Sequence, residues 1–110
     1  MSSLSTHVLD TVSGRPASGV FLRLLDGEKG LFCGTTDADG RCPELPNIFL
    51  EKGGYRLEFS VGEYFRQAGQ VLSDPPFLDI VPVVFGLGSY MHAHVPLLVA
   101  PFGYSTYRGS

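Results

Sequence analysis

The chain alternates apolar and polar residues in short runs, and this period of two predicts β-strands. Seven runs are rich in β-branched and aromatic residues: 4–10, 20–26, 31–37, 55–61, 77–85, 90–99 and 104–108. The runs are bounded by segments such as SGRPASG, DGEKG and SDPP, whose Gly, Pro, Ser and Asp residues are typical of turns. Short strands must bury one face against each other, so the pattern predicts an all-β fold, an antiparallel β-sandwich of seven to eight strands.

One segment departs from the alternation. The sequence GEYFRQAG, residues 62–69, predicts one or two turns of helix with Tyr64 and Phe65 packing inward. No repeat, low-complexity tract or linker divides the 110 residues, so we expect a single domain over residues 1–110.

The composition limits the classes of partner. Charged residues make up 17% of the chain and hydrophobic residues 44%, a balance that favours self-association. A net charge of −3 provides no basic stripe for phosphates, so we expect no nucleic-acid partner. The sequence has neither a signal peptide nor an apolar run of about 20 residues, so we expect no membrane contact and a cytoplasmic location.

The two cysteines, Cys33 and Cys42, are not expected to pair. If Asp39 and Gly40 form a two-residue hairpin turn, Cys42 faces Asp37 and lies out of register with Cys33. Free thiols in a reducing compartment are therefore the prediction.

Three histidines, His7, His92 and His94, lie in predicted strands. Strand residues two apart point to the same side, so His92 and His94 share a face. Three imidazoles could hold zinc with a fourth position open to water, although nothing in the sequence brings His7 to the other two. The alternative is that each histidine is structural and has its own hydrogen-bond partner.

Two further features could complete a polar site. Arg41 follows the Asp39-Gly40 turn, where its guanidinium can bind a carbonyl or carboxylate group or remain solvated. The turn A-P-F-G is short enough to lay the closing residues YSTYRGS beside His92 and His94.

Five segments carry a resemblance to a known family. They are S-T-H-V-L-D at 5–10, T-x-x-G-x-P-A at 11–17, T-D-A-D-G-R at 36–41, H-V-P-L-L at 94–98 and the terminal Y-S-T-Y-R-G-S. Together they resemble the 5-hydroxyisourate hydrolases, the transthyretin-related enzymes of urate breakdown, from about residue 4 to residue 110. The resemblance implies a transthyretin-like sandwich that hydrolyses 5-hydroxyisourate to 2-oxo-4-hydroxy-4-carboxy-5-ureidoimidazoline without a metal or cofactor. It also implies a homotetramer, a dimer of dimers, with active sites in the clefts between dimers.

The resemblance also implies roles for individual residues. Those implied to be catalytic or to bind substrate are His7, Arg41, His94, Tyr107, Arg108, Gly109 and Ser110. Tyr107 would close a channel into a shallow cleft, or would simply pack at a sheet edge, and His92 would be either supporting or structural. Ala93 stands where the family commonly has an aromatic residue. Alternation points Ala93 away from the histidines, so we expect a change in packing and little effect on chemistry.

The chemistry of opening a cyclic amide suits these residue types. It requires an activated water, a stabilised carbonyl oxygen and a proton for the leaving nitrogen. Histidine titrates near neutral pH, and arginine offers a permanently charged, flat fork of donors. We therefore expect His7 and His94 to position and deprotonate the water, either of them as the base, and Arg41 to hold the substrate and polarise its carbonyl. Ser110 would hold the water or a histidine.

Two other classes of function remain open from the sequence. A transthyretin-like carrier of a small ligand would use a deep apolar channel, in which His7, Arg41 and His94 would be costly to desolvate. A metal-dependent enzyme would use the three histidines as ligands.

Overall fold

The computed structural model describes residues 1–109, so Ser110, which is predicted to be catalytic, lies outside the described residues. Its elements in chain order are β1 (Ser3–Asp10), β2 (Arg15–Pro16), β3 (Phe21–Asp26), β4 (Lys29–Thr35), a 3₁₀ helix (Leu45–Asn47), β5 (Gly53–Ser60), α1 (Val61–Gln67), β6 (Ile80–Leu87), β7 (His92–Ala100) and β8 (Gly103–Thr106). Among these residues, no helix combines the length and apolar character needed to span a membrane.

Two four-stranded sheets pack face to face, as the alternation predicts. The first sheet has the strand order β2-β1-β7-β8 and the second has the order β4-β3-β5-β6. Every second residue of the central strands points inward, and the core includes Leu4, Val8, Leu22, Leu24, Leu57, Phe59, Leu97 and Val99, all fully buried. The predicted sandwich of seven to eight strands is confirmed. The predicted helix is also present, with Phe65 fully buried and Tyr64 half-buried.

One strand pair differs from the predicted antiparallel arrangement. Strand β1 pairs with β7 in parallel, in the register Ser3↔His92, Ser5↔His94 and His7↔Pro96, whereas the other ladders are antiparallel. Turn signals predict pairing between strands that follow one another in sequence, but here the two ends of the chain meet. The parallel register is what places residues of the first strand beside His92 and His94.

The strand ends also differ from the prediction at identifiable points. The run 77–85 becomes regular only at Ile80, because the Asp79 carbonyl accepts the N–H groups of Val61 and Gly62 at the start of α1, both at 3.0 Å. The run 90–99 begins at His92, since Tyr90 has a left-handed φ of 53°.

The predicted two-residue turn at Asp39-Gly40 is wrong. The Gly40 N–H donates to the Asp37 carbonyl at 2.9 Å and the Asp37 N–H donates to the Arg41 carbonyl at 2.8 Å, so residues 38–40 form a three-residue loop. Arg41, and not Cys42, therefore stands opposite Asp37. The prediction of free thiols is confirmed, with Cys33 exposed and Cys42 buried.

Candidate active site

The outer face of the first sheet collects the predicted polar residues along β1 and β7. Ser3, Ser5 and His7 alternate with buried residues on β1, and His92 and His94 do the same on β7. His7 and His94 are half-buried, whereas His92 is exposed. Because Ser5 lies opposite His94, His7 is only two residues further along the same face.

Arg41 reaches this face through the loop that precedes it. The Val8 N–H donates to the Gly40 carbonyl at 2.8 Å, and Arg41 forms an antiparallel bridge with His7. Gly40 has φ +74°, and a Cβ added there would lie 2.5 Å from the Val8 carbonyl oxygen, so only glycine fits this close approach. Asp37 holds the loop by accepting the Arg41 N–H on Oδ1 at 3.0 Å. Strand β1 thus has His94 on one side and Arg41 on the other.

The tail follows β7 as far as His94. Strand β8 pairs with residues 97–100 and stops at Thr106, because Pro96 on the partner strand has no N–H to offer. The Thr106 hydroxyl donates instead to the Pro96 carbonyl at 2.6 Å. Pairing resumes in the same register at Gly109, whose N–H donates to the His94 carbonyl at 2.8 Å. The tail therefore runs beside His94, as the hairpin spacing predicts, although the regular strand is shorter than the predicted run 104–108.

Gly109 lies against the imidazole of His94. A Cβ added to Gly109 would lie 2.5 Å from His94 Cδ2 and 3.1 Å from its Cβ and Cγ. No larger residue fits here unless His94 or the tail moves.

Tyr107 and Arg108 border a different side of His94. Together with His94 and Ala93 they line a cavity of ≈360 Å³ between β6 and β7, whose lining does not include His7 or Arg41. Ala93 is buried and points away from the outer face, as alternation predicts.

The pKa of His94 is lowered from its ordinary value. Burial of the ring is the largest cause, followed by electrostatic repulsion from Arg41 and then from His7 and His92. The lowered pKa favours the neutral ring, in which one ring nitrogen has a lone pair able to accept a proton.

Two serines that the sequence did not single out are the partners of the β7 histidines. Ser5 Oγ lies 2.8 Å from His94 Nδ1 and 3.0 Å from His92 Nε2, and Ser3 Oγ lies 2.8 Å from His92 Nδ1. Their spacing two and four residues before His7 places them on its face. Their partners could not be found without the parallel register of β1 and β7.

The zinc tripod considered from the sequence finds no support in the arrangement of donors. In the part of the chain that the structure describes, no group of three or more His, Cys, Asp or Glu side chains is placed to hold a metal ion.

The fold is a two-sheet sandwich, and its outer face carries imidazoles and a guanidinium. Residues 4–109 match the model of the HIUase/Transthyretin family, and the chain belongs to this family.

Similar proteins cover nearly the whole chain. A 5-hydroxyisourate hydrolase of Caulobacter vibrioides is 51% identical over an alignment of 115 positions, which covers 100% of each chain. The structure of Klebsiella pneumoniae 5-hydroxyisourate hydrolase matches with a TM-score of 0.87 at 37% identity, covering 100% of this chain and 94% of that one. Sea bream transthyretin in complex with thyroxine matches with a TM-score of 0.84 at 30% identity, covering 97% and 94%.

Proposed function

We propose that the chain is a 5-hydroxyisourate hydrolase of urate degradation that opens a cyclic amide of its substrate by attack of water. The observation that carries the proposal is the meeting of His7, Arg41 and His94 at one sheet face. The full-length similarity to hydrolases of this name supports the choice of substrate.

The roles of the site residues follow from their surroundings. His94, held neutral by burial and by neighbouring positive charge, is suited to accept a proton from water, and His7 is placed to orient that water or to share its proton. Arg41 stabilises the negative charge that develops on the carbonyl oxygen. Gly109 allows the tail to approach the His94 ring.

The closing residues extend the site to the other side of His94 in this proposal. Tyr107 and Arg108 bind the substrate on the tail side of His94, and Ser110 holds the water or a histidine. The reaction requires no metal or cofactor.

We further propose that the chain works in the cytoplasm as a homotetramer, a dimer of dimers, built from single-domain subunits that span residues 1–110. Strands β6 and β8 each end a sheet, and apolar side chains are exposed on them, including Ile80, Val84 and Tyr104. Unpaired edges of this kind favour pairing with another chain. The exposed free thiol of Cys33 supports a reducing compartment.

The test is to generate 5-hydroxyisourate freshly with urate oxidase and to follow its ultraviolet absorbance with the protein present. We expect decay much faster than the spontaneous reaction, in proportion to protein concentration. Decay at the spontaneous rate would overturn the proposal.

A carrier function is the second candidate, since the fold matches a transthyretin solved in complex with thyroxine. Titration with thyroxine by calorimetry separates the two functions. We expect no saturable binding, because an apolar ligand would have to desolvate Arg41 and the histidines. Saturable binding together with spontaneous-rate decay of 5-hydroxyisourate would establish the carrier instead.

A further inference from the structure

The side chains of Ser3, His92, Ser5 and His94 form a continuous line of hydrogen-bonding contacts along β1 and β7. Ser5 Oγ contacts Nδ1 of His94 and Nε2 of His92, and Nδ1 of His92 contacts Ser3 Oγ, at distances from 2.8 to 3.0 Å. All three lie within ordinary hydrogen-bond range. We propose that this line, the serine–histidine relay, carries a proton from His94 to the exposed His92 and on to solvent during each turnover. The inference rests on the proposed function.

The relay has two complete hydrogen-bonding states. In the first state His94 donates its Nδ1–H to Ser5, Ser5 donates its hydroxyl to Nε2 of His92, and His92 donates its Nδ1–H to Ser3. His94 Nε2 then has a free lone pair and is a base. In the second state every bond is reversed and His94 Nε2 carries the proton. Each neutral imidazole has one proton in both states, so both satisfy the donor and acceptor rules.

Passage between the two states moves one proton through the relay. A proton arrives at His94 Nε2, the Nδ1 proton passes to Ser5 Oγ, and the Ser5 hydroxyl proton passes to His92 Nε2. The Nδ1 proton of His92 then goes to Ser3, whose own hydroxyl proton is released to water. One proton enters and one leaves, and both histidines end neutral. After product release, His94 Nε2 gives its proton to entering water and Ser3 takes one proton from solvent. Each bond of the line then reverses, so the first state returns with no net change in the protons bound.

The hydrolysis itself produces the proton that must leave. Water adds its oxygen to the amide carbonyl, the C–N bond breaks, and one water proton remains on the leaving nitrogen. The product carries a carboxyl group, which is ionised at neutral pH, and a ureido nitrogen, which is not basic. Each turnover therefore releases one net proton inside the site.

His94 is a poor place to keep that proton, whereas the His92 end of the relay opens to solvent. His94 is half-buried and faces His7 from β1, Arg41 from the adjoining loop and His92 from its own strand, with Arg108 in the tail. An imidazolium at His94 would be poorly solvated, and it would be repelled most strongly by Arg41. His92 is exposed at the solvent end of the line, where water can take up the charge.

The first test compares the steady-state kinetics of Ser5→Ala and His92→Ala with those of the wild-type chain. We expect each variant to lose about tenfold in kcat, with KM changed less than twofold, because proton release and not substrate binding is slowed. A few tens of millimolar imidazole buffer should restore most of the lost rate by taking the proton from His94 directly, and should leave the wild type unchanged. Ser5→Thr keeps the hydroxyl and should keep the rate. Ser18→Ala, an exposed serine in a distant loop, is the matched control.

The double variant Ser5→Ala/His92→Ala separates a relay from two independent effects. Either substitution alone already interrupts the relay, so the second adds no further loss. The double variant should therefore be no slower than the slower single variant. Losses that multiply, rates within twofold of wild type in either single variant, or losses that buffer does not restore would each overturn the relay. His92 is exposed, so its variant should fold even if Ser5→Ala does not.

A measurement independent of catalysis distinguishes failure of the relay from failure of the proposed function. Nitrogen-15 spectra of the imidazole rings report which nitrogen carries the proton. In the wild type we expect the neutral His94 to be mainly the Nδ1–H form, and in Ser5→Ala we expect the two forms to mix. Ring spectra that Ser5→Ala leaves unchanged would overturn the relay whatever the activity. If the wild type does not accelerate substrate decay but the spectra change as expected, the hydrogen-bonded line stands, while the proposed function and the role of the line in turnover both fail.

Discussion

The outer faces of the two sheets both arise from the alternation of apolar and polar residues, but their polar side chains interact in different ways. On the second sheet Glu58 accepts from Arg23 at 2.6 Å and from Arg56 at 2.9 Å, and the Arg23 bond is the main reason that the Glu58 pKa is lowered. On the first sheet the imidazoles of His92 and His94 are held by serine hydroxyls. A carboxylate cancels the charge of its partner, whereas a hydroxyl orders an imidazole without fixing its charge.

The difference indicates that the two faces have separate roles: the second presents paired charges to solvent, and the first presents the groups proposed for catalysis. On the second face Arg23, Arg56 and Glu58 are paired with one another, and exposed pairs of this kind stabilise a surface only slightly. On the first face, Arg41 and His7 lie near a histidine whose pKa is lowered, and the hydroxyls leave that histidine able to gain or lose a proton. Substitutions on the two faces should therefore have opposite profiles, with losses of activity on the first and small losses of stability on the second.

The largest effect is expected at Arg41. Arg41→Ala removes the donor proposed to stabilise the carbonyl oxygen and should lower kcat/KM by on the order of a hundredfold or more. The chain should still fold, because the loop is held by the backbone bonds of Gly40 and Asp37 and by the bond from the Arg41 N–H to the Asp37 carboxylate, all of which an alanine at position 41 can keep. Steady-state kinetics on freshly made substrate give the value. Arg15→Ala, which removes an arginine from the rim of a separate cavity, is the control and should stay within twofold of wild type.

A smaller loss is expected at Gly109. Gly109→Ala places a methyl group against the His94 ring and should lower kcat about tenfold or more by displacing the ring or the tail. Gly103→Ala in β8 is a close control, because a Cβ at Gly103 meets nothing within 4 Å. Equal activity of the two variants would show that the tail does not position His94.

The lowered pKa of His94 is another property that distinguishes the first face, and it can be measured directly. Burial and neighbouring positive charges disfavour the protonated ring, so His94 should titrate below the ordinary histidine value of about 6.5. Arg41→Gln removes one of those charges and should raise this pKa, which ring-proton NMR titration measures directly. The unfolded chain binds this proton at higher pH than the folded chain, so the group destabilises the fold as pH falls below about 6.5. An unchanged or lowered pKa in Arg41→Gln would contradict the proposed proximity of the two groups.

The smallest effect is expected on the second face. Glu58→Gln breaks pairs whose arginines are partly exposed and should lower the free energy of unfolding by at most about 1 kcal/mol. The lowered Glu58 pKa means that this contribution is present above the ordinary carboxyl pKa and is lost as pH falls through the folded value. Urea denaturation at pH 7 and pH 3 tests both statements. If the free energies of unfolding of Glu58→Gln and wild type differed more at pH 3 than at pH 7, the predicted pH dependence would be contradicted.

The alternation of residues predicts most of the strands of the sandwich but not the parallel pairing of β1 with β7. It predicts the strands, the short helix and the shared face of His92 and His94, because each depends on local geometry. The parallel pairing of β1 with β7 depends on which strands become neighbours across nearly the whole chain. No local signal encodes that choice, so the sequence alone does not identify Ser5 as the partner of His94.

The loop before Arg41 shows a second limit. The sequence D-A-D-G predicts a turn, but whether Gly40 closes a two-residue or a three-residue loop depends on its approach to Val8 in β1. The prediction of the turn itself is confirmed, and its register is wrong by one residue. That one residue decides that Arg41 bridges to His7.

The most direct test of the contrast between the two faces compares one substitution on each of them. The initial rates of 5-hydroxyisourate decay are measured for wild type, His94→Asn and Glu58→Gln at equal protein concentration. The proposed site predicts that Glu58→Gln stays within twofold of wild type and that His94→Asn is slower by on the order of a hundredfold or more. A His94→Asn variant that retains the full rate would contradict the assignment of the β1–β7 face as the active site.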